Sequence, residues 1–291
     1  MLVSVIIPTY NSARFLTEAV GSVLAQTFRD FEILVIDDGS TDETQDVLRQ
    51  YGSPVRCIHQ QNSGVAVARN RGIMESRGRY VAFLDADDTW LPDKLERQMN
   101  ALSSESGGAG FCYSAFTVVD SDLKPVRVNQ SKRHASALED LLLRGNVVGS
   151  ICTVLCERAL FDKLGGFDPG LSQCADWDMW VRMAERTEFT YIDEPLVTYR
   201  HHSSMMSRNA ALLEVDSLRV LEKGFAAPDL SDSLRARRRA AFARNYMVLA
   251  GTYFQARRYK DFARCAMLAI AMDVRQTGYL MGFPLRALSR L

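Results

Sequence analysis

The sequence has no CxxC pair, no apolar run of membrane-spanning length, no net charge and no GxGxxG turn after its first apolar segment. The six cysteines (Cys57, Cys112, Cys152, Cys156, Cys174, Cys265) are scattered through 291 residues. Several lie in apolar runs, where a reduced thiol acts as a small hydrophobe, so structural zinc is excluded and a reducing compartment is expected. A spanning helix needs roughly 18 to 20 uninterrupted apolar residues, whereas Met267 to Met272 is bounded by Arg264 and Asp273. Met1 to Ile7 meets Pro8 too early for a signal-peptide core and lacks a basic leader, so secretion is not expected. Without GxGxxG, a dinucleotide-dependent oxidoreductase is the weakest reading. Equal numbers of basic and acidic residues, 35 each, give no nucleic-acid signal.

That balance hides an asymmetry. Residues 235–291 hold twelve basic side chains and two acids, a net +10 that leaves −10 on residues 1–234. An acidic body thus carries a basic tail, which suits an anionic partner. In the tail Arg237, Arg238, Arg239, Arg244, Arg257, Arg258 and Lys260 alternate with Phe242, Tyr246, Tyr253, Phe254 and Tyr259. Such a helical surface fits anionic lipid head groups, or equally a solvated hairpin whose aromatics pack inward.

The first hundred residues alternate β-branched runs with amphipathic stretches, the pattern of an α/β fold with a mainly parallel sheet. Strands are expected at Val3 to Ile7, Phe31 to Ile36, Val55 to Ile58 and Tyr80 to Leu84. Helices are expected at Ser12 to Ala25, from Ser40 (with Glu43 at capping-box spacing) to Tyr51, and at Gly64 to Glu75. Ligands of such sheets bind beyond the carboxyl ends of the strands, so the loops after Ile7, Ile36, Ile58 and Leu84 should share one crevice. Further on, Phe111 to Val119, Ile151 to Leu155 and Tyr191 to Ile192 read as strands, and an amphipathic helix opens near Asp176. From about Ala210 the pattern is helical, with Tyr246 to Met272 a candidate hairpin.

Asp85, Ala86, Asp87 and Asp88 follow a buried strand, and a two-residue period sends Asp85 and Asp87 to one side. Two such carboxylates repel unless a hard dication such as Mg²⁺ or Mn²⁺ lies between them, or unless the stretch is only a capped turn into the helix containing Pro92 to Asn100. Asp37 and Asp38 present the same choice at a neighbouring strand end. Arg69 is either part of a solvated basic face or a clamp for pyrophosphate, and Tyr10 can stack on a base.

Val3-Ser4-Val5-Ile6-Ile7-Pro8-Thr9-Tyr10-Asn11, Val35-Ile36-Asp37-Asp38-Gly39-Ser40, the Gly64 to Gly72 stretch with Ala68-Arg69-Asn70, and Phe83-Leu84-Asp85-Ala86-Asp87-Asp88 together resemble family 2 glycosyltransferases of the GT-A fold. The resemblance continues through Gly165-Gly166-Phe167-Asp168, Asp176-Trp177-Asp178-Met179-Trp180 and Tyr199-Arg200-His201-His202, to about residue 208. It implies a Rossmann-like α/β domain over residues 1–209, with a nucleotide-sugar half at 1–105 and an acceptor half at 106–209; the basic helical region at 210–291, read from its own pattern, lies outside the resemblance. It also implies an inverting transferase that moves a sugar from a nucleoside-diphosphate donor, UDP being favoured, to a carbohydrate or lipid-linked acceptor. Its setting would be cytoplasmic or peripheral at the inner membrane face.

By the same resemblance Pro8, Thr9, Tyr10 and Asp38 hold base and ribose, Arg69 contacts the nucleotide, and Asp85 and Ala86 line the donor site. Asp87 is the direct metal ligand, and His202 approaches the metal. A cation on the leaving diphosphate removes the need for an acid there, but the attacking hydroxyl still needs a base. Asp176 is the candidate, with Asp178 second. Relatives commonly carry Glu-Asp where this chain has Ala175-Asp176. A non-catalytic nucleotide-sugar-binding protein and a sugar nucleotidyltransferase remain as alternatives. The Gln-x-x-Arg-Trp element of processive synthases is not found, so a single transfer per encounter is expected.

Overall fold

The computed structural model describes residues 2–104, 109–130, 136–201 and 209–281. The chain divides into two compact units, residues 1–137 with 148–205, and residues 138–147 with 206–291.

The first unit begins with the expected alternation. β1 (Val3–Thr9), α1 (Ala13–Leu24), β2 (Phe31–Asp37), α2 (Thr44–Leu48), β3 (Val55–His59), α3 (Val65–Glu75) and β4 (Tyr80–Phe83) follow in turn. β1 pairs in parallel with β2 and β4, and β2 with β3. β1, β2 and β4 are buried along their whole length, as strands covered on both faces must be. Helix α1 turns Leu16, Ala19, Val20 and Val23 inward at helical spacing. Helix α3 comes so near the sheet that a Cβ on Gly72 would lie 2.4 Å from Ile6 Cγ2.

β5 (Thr89–Trp90), α4 (Lys94–Ser104), β6 (Phe111–Val119), β7 (Pro125–Asn129) and α5 (Ala137–Arg144) come next. A 3-10 turn at Ile151–Thr153 leads into β8 (Leu155–Glu157), then α6 (Arg158–Leu164), α7 (Ala175–Ala184) and β9 (Phe189–Arg200). Among the described residues nine strands form one sheet in the order β3-β2-β1-β4-β8-β6-β9-β5, with β7 on β6. Its β1 to β4 portion is parallel, whereas β8 runs antiparallel to both β4 and β6. This is the mixed, mainly parallel α/β sheet expected.

Several local expectations are corrected. The helix expected from Ser40 to Tyr51 is only the short α2, because Ser40 Oγ accepts from Asn11 N and Ser40 N donates to Asp37 Oδ1, leaving no capping box. Asp42 Oδ1 takes the N–H of Thr44 instead. The strand expected at Ile151 to Leu155 begins as the 3-10 turn, capped by Ser150 Oγ. The helix expected to include Pro92 starts at Lys94, after β5 has paired with β9. The amphipathic helix expected near Asp176 is present as α7, with Asp176 in its first turn and Cys174 as N-cap.

The second unit is helical, taking in most of α5 together with α8 (Ala210–Phe225), α9 (Asp232–Arg235), α10 (Arg238–Gln255), α11 (Tyr259–Met272) and α12 (Gln276–Met281). Ala250, Ala266 and Ala269 let α10 and α11 approach around buried Met247, Leu249 and Tyr253. Arg264 makes two bonds, of 2.8 and 2.7 Å, to Glu214, which also accepts from the Tyr253 hydroxyl. No helix among the described residues is long and apolar enough to cross a membrane.

Candidate functional site

The site is assembled where β1, β2 and β4 end and their loops begin. Pro8 and Thr9 finish β1 and are buried, while Tyr10 is half-exposed. Thr9 Oγ1 is buried without a hydrogen-bond partner. After β2, Asp37 Oδ1 accepts from Ser40 N and Oδ2 lies 2.9 Å from His59 Nδ1. Burial pushes Asp37 upward, but the bonds from Ser40 and His59 outweigh it and hold the carboxyl below the ordinary range. Asp38 is buried and accepts from Gln60 Nε2 (2.8 Å), Ser63 N (2.9 Å) and Gly64 N (2.8 Å). Its carboxylate thereby caps the N-terminus of α3, and a carboxylate with about four lone-pair positions keeps one acceptor position for a ligand. Gly39, which follows them, has φ +79°, and a Cβ there would meet Asn62 N at 2.8 Å.

The turn after β4 carries the acidic run. Asp85 Oδ1 accepts from Arg69 Nη2 at 2.8 Å. Ala86 is buried and Asp87 half-buried. Asp88 is only 2% exposed, with Oδ1 accepting from Arg200 N and Oδ2 from the Cys152 thiol. Burial first, then the charges of Asp87 and Asp85, hold Asp88 well above the usual carboxylate range. Arg200 is buried, donates through Nε to Asp87 O, pairs with Glu18 and lies over the Phe15 ring. Ligand atoms of Asp85, Asp88 and Cys152 lie within 4.8 Å of one another.

Arg69 is the cation that answers this turn. Burial pulls its guanidinium down, but the charges of Asp85 and Asp176 more than restore it, so both carboxylates lie within its electrostatic reach. Arg69 is 8% exposed, and its Nε lacks a partner. Asp176 is half-buried and accepts from Trp177 N. Asp178 is buried and faces away into an ion pair with Arg182, whose guanidinium also holds Leu164 O and Gly166 O. Asn70 binds the same loop through both its atoms: Nδ2 donates to Phe167 O and Oδ1 accepts from Phe167 N.

The structure therefore pairs Arg69 with Asp85, with Asp176 near enough to act on the guanidinium electrostatically, and places Pro8, Thr9 and Asp38 on adjoining strand ends. His202 lies outside the described residues, although His201 N bonds Val119 O just before it. Sequence reasoning missed Cys152 and the tethering parts of Asn70 and Arg200. Asn70 and Arg200 stand inside motifs that could have flagged them, whereas Cys152 sits in an ordinary apolar run.

Residues 4–165 match the profile described as Glycosyl transferase family 2. A protein of Rickettsia prowazekii, named as an uncharacterized glycosyltransferase, is 33% identical over 229 residues, covering 77% of this chain and 71% of its own length. The Bacillus subtilis protein TuaG, named for teichuronic acid biosynthesis, is 34% identical over 216 residues, covering 72% of this chain and 82% of its own. The fold is similar to that of S. aureus TarS 1-349 in complex with UDP-GlcNAc, with a TM-score of 0.69 at 19% identity over 97% of this chain and 92% of that one. It is also similar to a Pyrobaculum calidifontis mannosyltransferase in complex with GDP-Man and Mn²⁺, with a TM-score of 0.64 at 17% identity over 98% and 82%.

Proposed function

The chain belongs to glycosyltransferase family 2, of the GT-A fold, and from that premise we propose an inverting, cation-dependent transfer of a sugar from a UDP-sugar to an acceptor hydroxyl. The observation that carries this reading is buried Arg69, paired with Asp85 at 2.8 Å, within reach of Asp176 and with its Nε unsatisfied. A buried cationic donor without a partner is costly unless a ligand completes it. A diphosphate oxygen is such a ligand. Thr9 Oγ1, equally unsatisfied, and the remaining acceptor position of Asp38 suit ribose and pyrimidine, with Tyr10 and Pro8 beside them.

The half-buried carboxylates of Asp85 and Asp87 on one short turn form a hard oxygen donor set that suits Mg²⁺ or Mn²⁺. Asp88 fits less well, since both its oxygens are engaged, and Cys152 offers a soft sulfur. Bound there, the cation would neutralise charge on the departing diphosphate. Asp176, at the first turn of α7, would take the proton of the acceptor hydroxyl on the opposite face of the sugar. Asp178, held by Arg182, is less suited to that task.

Residues 1–209 would form the transferase domain, acting on a carbohydrate or lipid-linked sugar. The basic region would meet an anionic membrane surface. Arg264, Arg258 and Arg275 are paired with Glu214, Asp261 and Asp273, while Arg257 and Lys260 are exposed at the α10–α11 connection.

The test is binding and hydrolysis of UDP-, GDP- and dTDP-sugars with Mn²⁺, Mg²⁺ or EDTA. Cation-dependent release of UDP, reduced by Asp87→Ala, is the expected result. Absence of binding to every nucleotide sugar with either cation contradicts the reading.

A further inference from the structure

We propose that Cys152 is a positioning residue, its buried thiol fastening both ends of the Asp85–Asp88 turn and so setting the geometry with which that turn meets donor and cation. The inference rests on the reading of that turn as the donor and cation site.

The thiol accepts from Asp85 N at 3.2 Å and donates to Asp88 Oδ2 at 3.1 Å. A thiol is a weak donor and a weak acceptor at once, and here both capacities are used on one four-residue turn. The backbone N–H of Asp85 would otherwise need another partner beside a buried strand end. Cys152 reaches the turn because β8 pairs antiparallel with β4, Ala82 opposite Leu155, which places the 3-10 turn next to the end of β4. Its own place is fixed from the other side. Its carbonyl accepts from Trp90 Nε1 at 3.0 Å, and the Trp90 ring lies 4.0 Å from the Lys94 ammonium. With 0% exposure the side chain has little freedom to adopt another rotamer. Cys156, equally buried four residues on, makes only a long 3.8 Å contact with Val81 O and touches no part of the turn.

Outer-shell groups that orient ligating carboxylates typically change affinity by about 10-fold to 100-fold when removed. Titration of the full chain with UDP and Mn²⁺, together with donor-hydrolysis kinetics and thermal melting, should therefore separate two cysteines of equal burial. Cys152→Ala should weaken Mn²⁺-dependent UDP binding and raise the donor KM about tenfold or more. Cys152→Ser, whose hydroxyl can donate and accept in the same place, should recover most of that loss. Cys156→Ala should lower the melting temperature and leave UDP affinity unchanged.

A second measurement needs no variant. UDP with Mn²⁺ should slow modification of Cys152 by methyl methanethiosulfonate about tenfold, because ligand binding closes the turn that must open to expose it, and should leave Cys156 unaffected in fragment-ion mass spectra. If Cys152→Ala and Cys156→Ala lose only melting temperature, or UDP fails to protect Cys152, the positioning role is overturned. If the unmutated chain binds no UDP with Mn²⁺, the donor-site reading falls and takes this inference with it.

Discussion

Glu32 lies inside the sheet with 2% exposure, yet its carboxylate accepts from Ser4 Oγ, Arg77 N and Arg56 Nη1. Burial pushes its pKa up, but these bonds outweigh that and hold it below the ordinary value of 4.5. Its stabilising contribution is therefore present above the unfolded value and lost as pH falls through the folded one. Glu32→Gln should cost about 3 kcal/mol at neutral pH, measured by urea unfolding, and the difference from the unmutated chain should vanish on acidification. Lys94 shows the opposite sign. It is fully buried near Cys112, Cys152 and Cys156, bonded to Gln98 Oε1, with its pKa pushed down to about 7 by burial. The unfolded chain binds the proton more tightly, so stability rises with pH above about 7. Unfolding of Lys94→Met should show no such rise, and the two curves should diverge by up to about 1.4 kcal/mol per pH unit. Neither residue announced itself. A lysine opening a helix and a glutamate in a strand read as solvent-facing until the packing around them is known.

Among the elements, α3 does the most to shape the site. One of its faces carries Arg69 to Asp85, and the next residue, Asn70, holds the backbone of Phe167 with two bonds of 2.8 and 2.7 Å. The loop so held is also tied by Arg182 of α7, the helix that bears Asp176. Asn70→Ala should therefore lower turnover more than donor affinity, read as a fall in kcat with little change in donor KM. Gly72→Ala should destabilise by about 1 to 3 kcal/mol, since the added methyl meets Ile6 in an already packed interface. Much of this was legible. β1 to β4 are short apolar runs closed by turn residues, α1 carries an apolar stripe, and α3 fills the interval between two such runs, so all are placed within a residue or two. β7 was not, because all five of its residues are exposed and no burial pattern marks it. α2 fell short because Ser40 serves the neighbouring loop through Asn11 rather than a helix. The pairing of Arg69 with Asp85 and the meeting of Cys152 with the same turn depend on α3 and on β8 lying beside β4, a tertiary fact that no local pattern encodes.

For the whole molecule, the sequence shows an acidic body and a tail of net +10, and the second unit neutralises part of that excess internally through Glu214 and Glu139, which pair with Arg264 and Arg237. Sedimentation with vesicles containing anionic phospholipid should retain the chain at low salt and release it as the Debye length shrinks to about 8 Å near physiological ionic strength or below. Neutral vesicles should not retain it. The family was legible because its motifs lie at strand ends in a fixed order. The roles of Asp87, Asp176 and Asp178 came from the resemblance and not from local pattern, since an acid after a strand or in the first turn of a helix serves equally as a cap. The most direct measurement is the rate of UDP release from a productive UDP-sugar by the unmutated chain and by Asp176→Asn, with Mn²⁺-dependent donor binding measured on the same preparations. Release slowed about 100-fold or more, as for loss of a general base, with donor affinity retained, is the predicted result. Unchanged release from Asp176→Asn would contradict the assignment of the base.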